Sequence, residues 1–502
     1  MTRRGALQTL GGAAVAAFPY IAKPQHRRPN VLFVMTDDQR WDAMSCAGNR
    51  ILRTPNMDRL AAEGVRFAEA FVTNALCSPS RGTILTGLYS HTHGVTTNGG
   101  LSHYFRPGQV IFPALLQQAG YYTAVLGKWH IATMPWGFDH WCILPGQGAY
   151  MDPVMIANGG RVRFRGYVED VIGDQVLEAL RNRPKDKPFC LMYHTKAPHR
   201  DWIPAPRFAK VYEDITIPEP PTFHLDLSHR PAAVRNTDMQ IKDMPDFRER
   251  GVPADLPPEE KKRRNFQVFL KNYYRTLLAV DENLGRVLDY LDKEKLSENT
   301  LVIYTADNGF FLGEYGLFDK RLMYEPSIRV PMLVRYPAAI RGGRVDREHM
   351  VLNNDVFHTV LDYCGVERPS HTEHHGMSWR PILEGKRVPW RESWLYEYFE
   401  YPAVHCAGKH RGVRTRRWKL IHYIQEPQEW ELFDLEKDPE ERRNLYHDPA
   451  YRQQAEQLAR ELDRLRTATD DDRSEDGTPT SPCPETPSAW YVPFFEKGDI
   501  PG

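Results

Sequence analysis

The chain is short of cysteine and carries no excess of either charge. Only 7 of its 502 residues are cysteine, at positions 46, 77, 142, 190, 364, 406 and 483, and none forms a Cys-x-x-Cys pair. So sparse and odd a set does not read as a disulfide scaffold or a zinc site. Lysine plus arginine number 65 and aspartate plus glutamate 65, so the formal net charge is +0. A balanced chain is a poor candidate for a nucleic-acid binder or a polybasic membrane protein, and any strong field must be local. Long apolar runs and internal repeats are also missing, so no stable membrane insertion is expected.

What is present begins with "MTRRGALQTLGGAAVAAFPYIA", a charged start followed by a short alanine-rich stretch. This pattern marks an export segment rather than part of the fold. Its Arg3-Arg4 pair resembles a bacterial twin-arginine signal, which implies a periplasmic or extracellular location. Residues 1–28 are therefore set apart as a signal segment.

Beyond it, "NVLFVMT" (30–36), "YYTAVLG" (121–127), "PFCLMYHT" (188–195), "NTLVIYTA" (299–306) and "VPMLVRY" (330–336) have the apolar texture of buried strands. Helical spacing occupies 55–65, 79–87, 112–119, 168–182 and 353–364, and most extensively 266–292. Apolar strands alternating with amphipathic helices predict an α/β fold, a mostly parallel sheet flanked by helices. The proline-rich and charged segment 203–265 is expected to run over the surface, outside the core. From about 390 the texture changes. "GVRTRRWKLIHYI" and "EWELFDL" predict antiparallel strands, 450–466 a closing helix, and 467–502 a tail draped over the surface. The expected division is 29–389 for a catalytic domain and 390–502 for a smaller antiparallel-sheet subdomain with its tail.

Two of the strands end alike. "VLFVMT" runs into Asp37-Asp38, and "LVIYTA" runs into Asp307-Asn308. Open α/β sheets bind ligands beyond the carboxyl ends of their strands. Either pair alone has the composition of an ordinary turn. Together they offer three carboxylates and an amide oxygen, a hard donor set suited to Ca²⁺ or Mg²⁺ rather than zinc or copper. A thiol is a poor partner for such a cation, which makes Cys77, in "CSPSR" at the head of a predicted helix, conspicuous.

Cys77-Ser78-Pro79-Ser80-Arg81 followed by "GTILTG" resembles the signature of the type I sulfatases. The likeness covers about residues 30–466, with "GKWH", "KAPHRDW", "GEYGLFDK" and the late "ELFDLEKDPEERRNL" in the family's order. It implies an alkaline-phosphatase-like fold and a bound Ca²⁺ held by Asp37, Asp38, Asp307, Asn308 and the residue at Cys77. A maturase, a necessary partner, would oxidise Cys77 to Cα-formylglycine. Its hydrated oxygen would attack the sulfur of a sulfate monoester, with Arg81 orienting it. By the same likeness Lys128 and Lys320 withdraw charge from the sulfuryl oxygens. His199 protonates the leaving sugar oxygen, and His130 deprotonates the remaining hydroxyl to expel sulfate.

Within that family, "DDQRWDAMSCAGN", "LPGQGAYMDP", "KAPHRDW", "FDKRLMYEPS" and "EYPAVHCAGKHRGVRTRRWKLIHY" are most similar to exo-acting N-acetylglucosamine-6-sulfatases of mucin or heparan sulfate. Asp319 and Arg321 flank Lys320 and suit sugar hydroxyls, His405 suits the pocket's closure, and Trp202 offers an apolar face to a sugar ring. Four readings compete. They are a sulfatase of another sugar position, a formylglycine-dependent phosphonate or phosphate ester hydrolase, a sulfated-glycan-binding protein without catalysis, and a cysteine hydrolase using Cys77. The last leaves the paired carboxylates unexplained.

Overall fold

The computed structural model describes residues 28–244, 247, 250–370, 372–471 and 478–479. The signal segment up to residue 27 and most of the tail, on which expectations were placed above, lie outside these residues. A ten-stranded sheet runs in the order Arg344–Asp346, Val65–Phe67, Met332–Arg335, Thr300–Ala306, Asn30–Thr36, Phe189–His194, Tyr122–Lys128, His140–Leu144, Val154–Ala157, Gly160–Arg163. The five strands from Thr300–Ala306 to His140–Leu144 are parallel. Met332–Arg335 lies antiparallel between Thr300–Ala306 and Val65–Phe67, and the far edge is an antiparallel hairpin.

The central strand shows why the sheet is sandwiched. Val31, Phe33 and Met35 enter one core cluster, while Leu32 and Val34 enter the other. Alternate residues of a strand point to opposite faces, so a strand apolar at every position needs cover on both. Helices Phe112–Gln118 and Asp355–Cys364, with Cys77–Thr86, supply one layer. Helices Pro55–Glu63, Val168–Asn182 and the 36-residue Pro258–Lys293 supply the other. The long helix begins eight residues before its apolar stripe. Pro258 at its start and Glu259 and Glu260 in the first turn suit a helix N-terminus.

The segment 203–265 departs from expectation. Ile217, Phe223, Met239, Ile241, Met244 and Phe247 are fully or almost fully buried, so the segment closes the core rather than lying outside it. Its apolar residues are spaced without helix or strand period, and this hides their burial from a pattern reading.

Four antiparallel strands, Ser393–Tyr398, His410–Thr415, Trp418–Tyr423 and Glu429–Asp434, form a separate small sheet. Helix Arg452–Ala468 covers it through Leu458 and Leu462 against Leu395, Val413, Leu420 and Leu432. Buried ion pairs tie this sheet to the rest of the chain: Glu431 to Arg230 of the segment 203–265 at 2.8 Å, and Lys419 to Glu325 of the short helix Glu325–Ile328 at 3.0 Å. Cys406, at its edge, is disulfide-bonded, so the scarcity of cysteine did not exclude a single bridge. Among the described residues no helix is long and apolar enough to cross a membrane.

Candidate active site

The two acidic turns meet because their strands are neighbours in register. Thr36 pairs with Ala306, so the following residues, Asp37-Asp38 and Asp307-Asn308, emerge side by side at the carboxyl edge of the sheet. The Asp307 amide donates to the Thr36 carbonyl at 3.0 Å, and the Asp38 amide to Asp307 Oδ1 at 3.1 Å. All four side chains are buried. Ligand atoms of Asp37, Asp38, Cys77 and Asp307 lie within 4.8 Å of one another.

This crowding has an electrostatic cost. Burial, with the charges of Asp37, Asp307 and Asp319, pushes Asp38 up to about 7 even though Lys320 opposes it. Burial and Asp37 likewise raise Asp307. At Asp37 burial works upward too, but the cations Lys128, Arg81 and Lys320 together hold the carboxyl well below its usual range. The Asn308 amide donates to Asp38 Oδ1 at 2.7 Å, and its own Oδ1 is buried without a partner. Three carboxylates that repel and one orphaned amide oxygen fit a hard divalent cation.

Cys77 opens the helix Cys77–Thr86, with Sγ 3.7 Å from Asp37 Oδ1. Burial and then Asp37 push its thiol well above the ordinary value. A thiolate nucleophile is therefore disfavoured, which weighs against the cysteine-hydrolase reading. One turn on, Arg81 spreads its fork across both strand ends. Nε reaches Asp307 Oδ2 at 3.0 Å, Nη2 reaches Asp37 Oδ2 at 2.8 Å, and Nη1 donates to the Lys128 carbonyl at 2.5 Å. The flat guanidinium suits this bridging task.

Lys128 ends its strand, brought in by the close approach of Gly127 to the neighbouring strand. A Cβ at Gly127 would lie 1.7 Å from the His194 carbonyl oxygen, and its φ is +102°. The Lys128 ammonium pairs with Asp37, and that of Lys320 with Asp38 at 2.5 Å. Between Lys128 and His130 stands a residue that sequence reasoning missed. Gln147 Oε1 accepts from Lys128 Nζ at 2.5 Å, and its Nε2 lies 3.2 Å from His130 Nε2. The signal was available: "LPGQG" follows the strand His140–Leu144, so Gln147 too sits beyond the carboxyl end of a parallel strand.

Both histidines are held neutral, by burial first and Lys128 next. An amide nitrogen donates, so His130 accepts at Nε2, while its buried Nδ1 has no partner. His199 Nδ1 lies 2.7 Å from the Arg200 carbonyl, which fixes the proton there and leaves Nε2 facing Asp38 at 3.8 Å.

Beside Lys320 a second polar set gathers. His405 Nε2 lies 3.1 Å from Asp319 Oδ2, and its Nδ1 2.6 Å from Asp238 Oδ1. Arg321 stands 3.9 Å from Asp319 and 3.8 Å from Glu400, loose enough that its buried Nη1 makes no hydrogen bond. Asp319, Arg321 and His405 have φ of 75°, 89° and 69°. A run of left-handed, non-glycine residues persists only where surroundings enforce it, and such strain gathers at ligand sites. Trp202 does not join this set. Its ring is fully buried, 4.7 Å from Phe269 and 5.9 Å from Phe247, with Phe310 and Phe318 edge-on, so it presents no face to a sugar. The expectation for Trp202 is corrected: it packs beneath the site. Asp238 was not foreseen because it lies far in sequence from the residues it touches, and Glu400, which opens the stretch that carries His405, was passed over there.

A family model described as Sulfatase matches residues 29–366. The chain belongs to the sulfatase family. It is a sulfuric ester hydrolase by that membership, and a second model, N-sulphoglucosamine sulphohydrolase, C-terminal, matches residues 313–468. This sulfatase is 40% identical to an N-acetylglucosamine-6-O-sulfatase of Bacteroides thetaiotaomicron, over 92% of this chain and 90% of that protein. It is 30% identical to the human N-acetylglucosamine-6-sulfatase, over 74% of this chain and 67% of that one. A solved structure described as a complex with its substrate D-glucosamine-2-N,6-O-disulfate superposes with a TM-score of 0.83 at 39% identity, covering 89% of this chain and 99% of that one.

Proposed function

We propose that this sulfatase removes the 6-O-sulfate from N-acetylglucosamine residues of host-type glycans such as mucin or heparan sulfate. The observation that carries the reading is the polar set Asp319, Arg321 and His405, with Arg321 Nη1 unbonded, abutting Lys320 in a chain 40% identical to an N-acetylglucosamine-6-O-sulfatase. A sulfate held between Lys128 and Lys320 brings the sugar that bears it against that set.

Asp37, Asp38, Asp307 and Asn308 are the residues that would hold Ca²⁺, and Cys77 the one a maturase would convert to formylglycine. The cation supplies charge withdrawal from a sulfuryl oxygen, and the formylglycine supplies an oxygen nucleophile in place of the thiol. Arg81 keeps both strand ends and the nucleophile's helix in one frame. Lys128 and Lys320 offset sulfate charge, and the bound sulfate in turn relieves the like-charge repulsion that, after burial, keeps His199 neutral. His199 is then able to donate from Nε2 to the leaving sugar oxygen, its other nitrogen being committed to Arg200. Neutral His130 keeps its own proton on the unpartnered Nδ1, so Nε2, which accepts from Gln147 here, is the nitrogen suited to take a proton from the group at position 77. General acid–base help of this kind is worth roughly 10²–10⁴-fold. Export through the twin-arginine-type segment would place the folded enzyme where such glycans occur.

The test is sulfate release from N-acetylglucosamine-6-sulfate by protein whose Cys77 peptide has the mass of formylglycine. Release supports the reading down to the sugar. A matured enzyme that leaves this sugar untouched but cleaves 2-O-, 4-O- or N-sulfated sugars would discard the 6-O assignment. Preference for phosphonate or phosphate esters would favour the competing hydrolase.

A further inference from the structure

A cleft of about 520 Å³ opens where the small sheet meets the large one, and it shares no residue with the site described above. Its walls include the partly exposed Trp41 and Arg329, the exposed Arg347 and Arg416, and the buried Arg414. The carboxylates that line it are already engaged. Glu69 takes Arg329 at 2.8 Å and Arg414 at 3.2 Å, and Glu325 takes Arg414 at 3.2 Å and Lys419 at 3.0 Å. Asp42 and Glu314 both bind Arg40, and Glu440 binds Arg442 at 2.5 Å. Arg347 and Arg416 remain, exposed and with no acidic partner among the described residues; Arg416 reaches only the Arg347 carbonyl, at 3.4 Å. Behind them Arg66 is buried, its guanidinium depressed by burial and by like charge from Arg347 and Arg329. Arg329 lies over the Trp41 ring at 4.1 Å from its centroid.

We propose that this cleft is a non-catalytic binding site for a sulfated saccharide. Two guanidinium forks without a carboxylate suit a sulfate group, which accepts hydrogen bonds as a carboxylate does. The partly exposed Trp41 indole beside them, whose one face Arg329 covers, leaves apolar surface that suits a pyranose ring, and a few hundred Å³ is the size of a small ligand site. The choice of a sulfated sugar rests on the sulfatase reading above. Such a site would hold a second sulfated residue of a glycan, adding affinity for polymers without touching the reacting ester.

The test measures binding, not turnover. Calorimetry of a heparin-derived hexasaccharide against the Cys77→Ala protein is compared with the same protein carrying Arg347→Ala and Arg416→Ala, or Trp41→Ala. Affinity is expected to fall about tenfold in the paired arginine variant and severalfold in the tryptophan variant. Matured Arg347→Ala/Arg416→Ala enzyme should meanwhile turn over a small sulfate ester at the unaltered rate. Unchanged hexasaccharide affinity in the arginine variant overturns the site. Loss in the arginine variant alone, with inorganic sulfate competing as well as the hexasaccharide, overturns the saccharide assignment in favour of a simple anion site. Because no turnover is read in the binding arm, failure to hydrolyse N-acetylglucosamine-6-sulfate leaves this result intact.

Discussion

Asp319 holds two tasks in one side chain. Its Oδ1 accepts the Lys320 amide at 2.9 Å, and its Oδ2 faces His405 at 3.1 Å. Asp319→Asn keeps the amide acceptor, and so Lys320 in place, while it removes the charge offered to His405 and, on the proposed function, to a sugar hydroxyl. The expected outcome is a KM for the sugar sulfate raised about tenfold or more, an amount typical of one lost charged hydrogen bond at about 1.5–3 kcal/mol. Turnover of a small aryl sulfate should scarcely change; equal losses on both substrates would place Asp319 in the catalytic scaffold. At this scale sequence legibility follows motif density. Cys77, Arg81, Lys128, His130, His199 and Lys320 stand in short runs whose chemistry constrains several neighbours at once, and the structure gathers all six around the acidic turns. Trp202 misled because it lies outside any helix or strand, where spacing carries no information on which way a ring points, and because φ of 51° turns it inward. Gln147 was passed over because an amide side chain looks like turn composition until a lysine and a histidine are seen on either side of it.

Elements were easier to foresee than the segments between them. Buried parallel strands announce themselves by uninterrupted apolar runs, and the long helix by ten apolar residues in period, because each must bury a whole face. The segment 203–265 buries single residues from irregular backbone, and nothing periodic records it. One such junction gives a pH-dependent prediction. Helix Val168–Asn182 begins beside the loop bearing His199, and Glu169 Oε1 accepts the amides of Lys196 at 3.0 Å and Ala197 at 2.7 Å. Burial pushes this carboxyl from 4.5 up to about 8 despite those bonds. A raised folded-state value means that the stabilisation is whole below the unfolded value and is lost as pH rises through the folded one. Between about 4.5 and 8 the wild type therefore loses stability that a non-titrating glutamine retains. Glu169→Gln keeps an oxygen for both amides. Its melting temperature, measured against wild type, should gain steadily from pH 5 to pH 8, by on the order of a few kcal/mol of stability. A difference that is constant with pH would show that Glu169 is not protonated in the folded state.

For the whole molecule, the balanced composition concealed a strong local imbalance. Buried Arg230 and Lys419 join the small sheet to the segment 203–265 and the helix Glu325–Ile328, and a cluster of buried carboxylates sits at the large sheet's carboxyl edge. Composition averages these away, so the site was disclosed by local pattern, the two acidic strand ends and the short motifs around them. The carboxylates destabilise the fold when nothing offsets them, and a ligand that binds only the folded chain stabilises it by mass action, about 2.7 kcal/mol at a hundred times its Kd. Ca²⁺ added to chelator-treated protein should therefore raise the single melting transition by a few degrees and restore sulfate ester hydrolysis, and EGTA should reverse both. The effect has a direction with pH. With Asp38 pushed up to about 7, part of the population must shed a proton before it coordinates, so Ca²⁺ should bind more weakly at pH 6 than at pH 8. Calorimetry in two buffers of different ionisation enthalpy would record the released proton. A melting temperature and an activity both indifferent to exhaustive chelation would remove the cation from the mechanism, and leave Lys128, Lys320 and Arg81 as the only charges set against the sulfate.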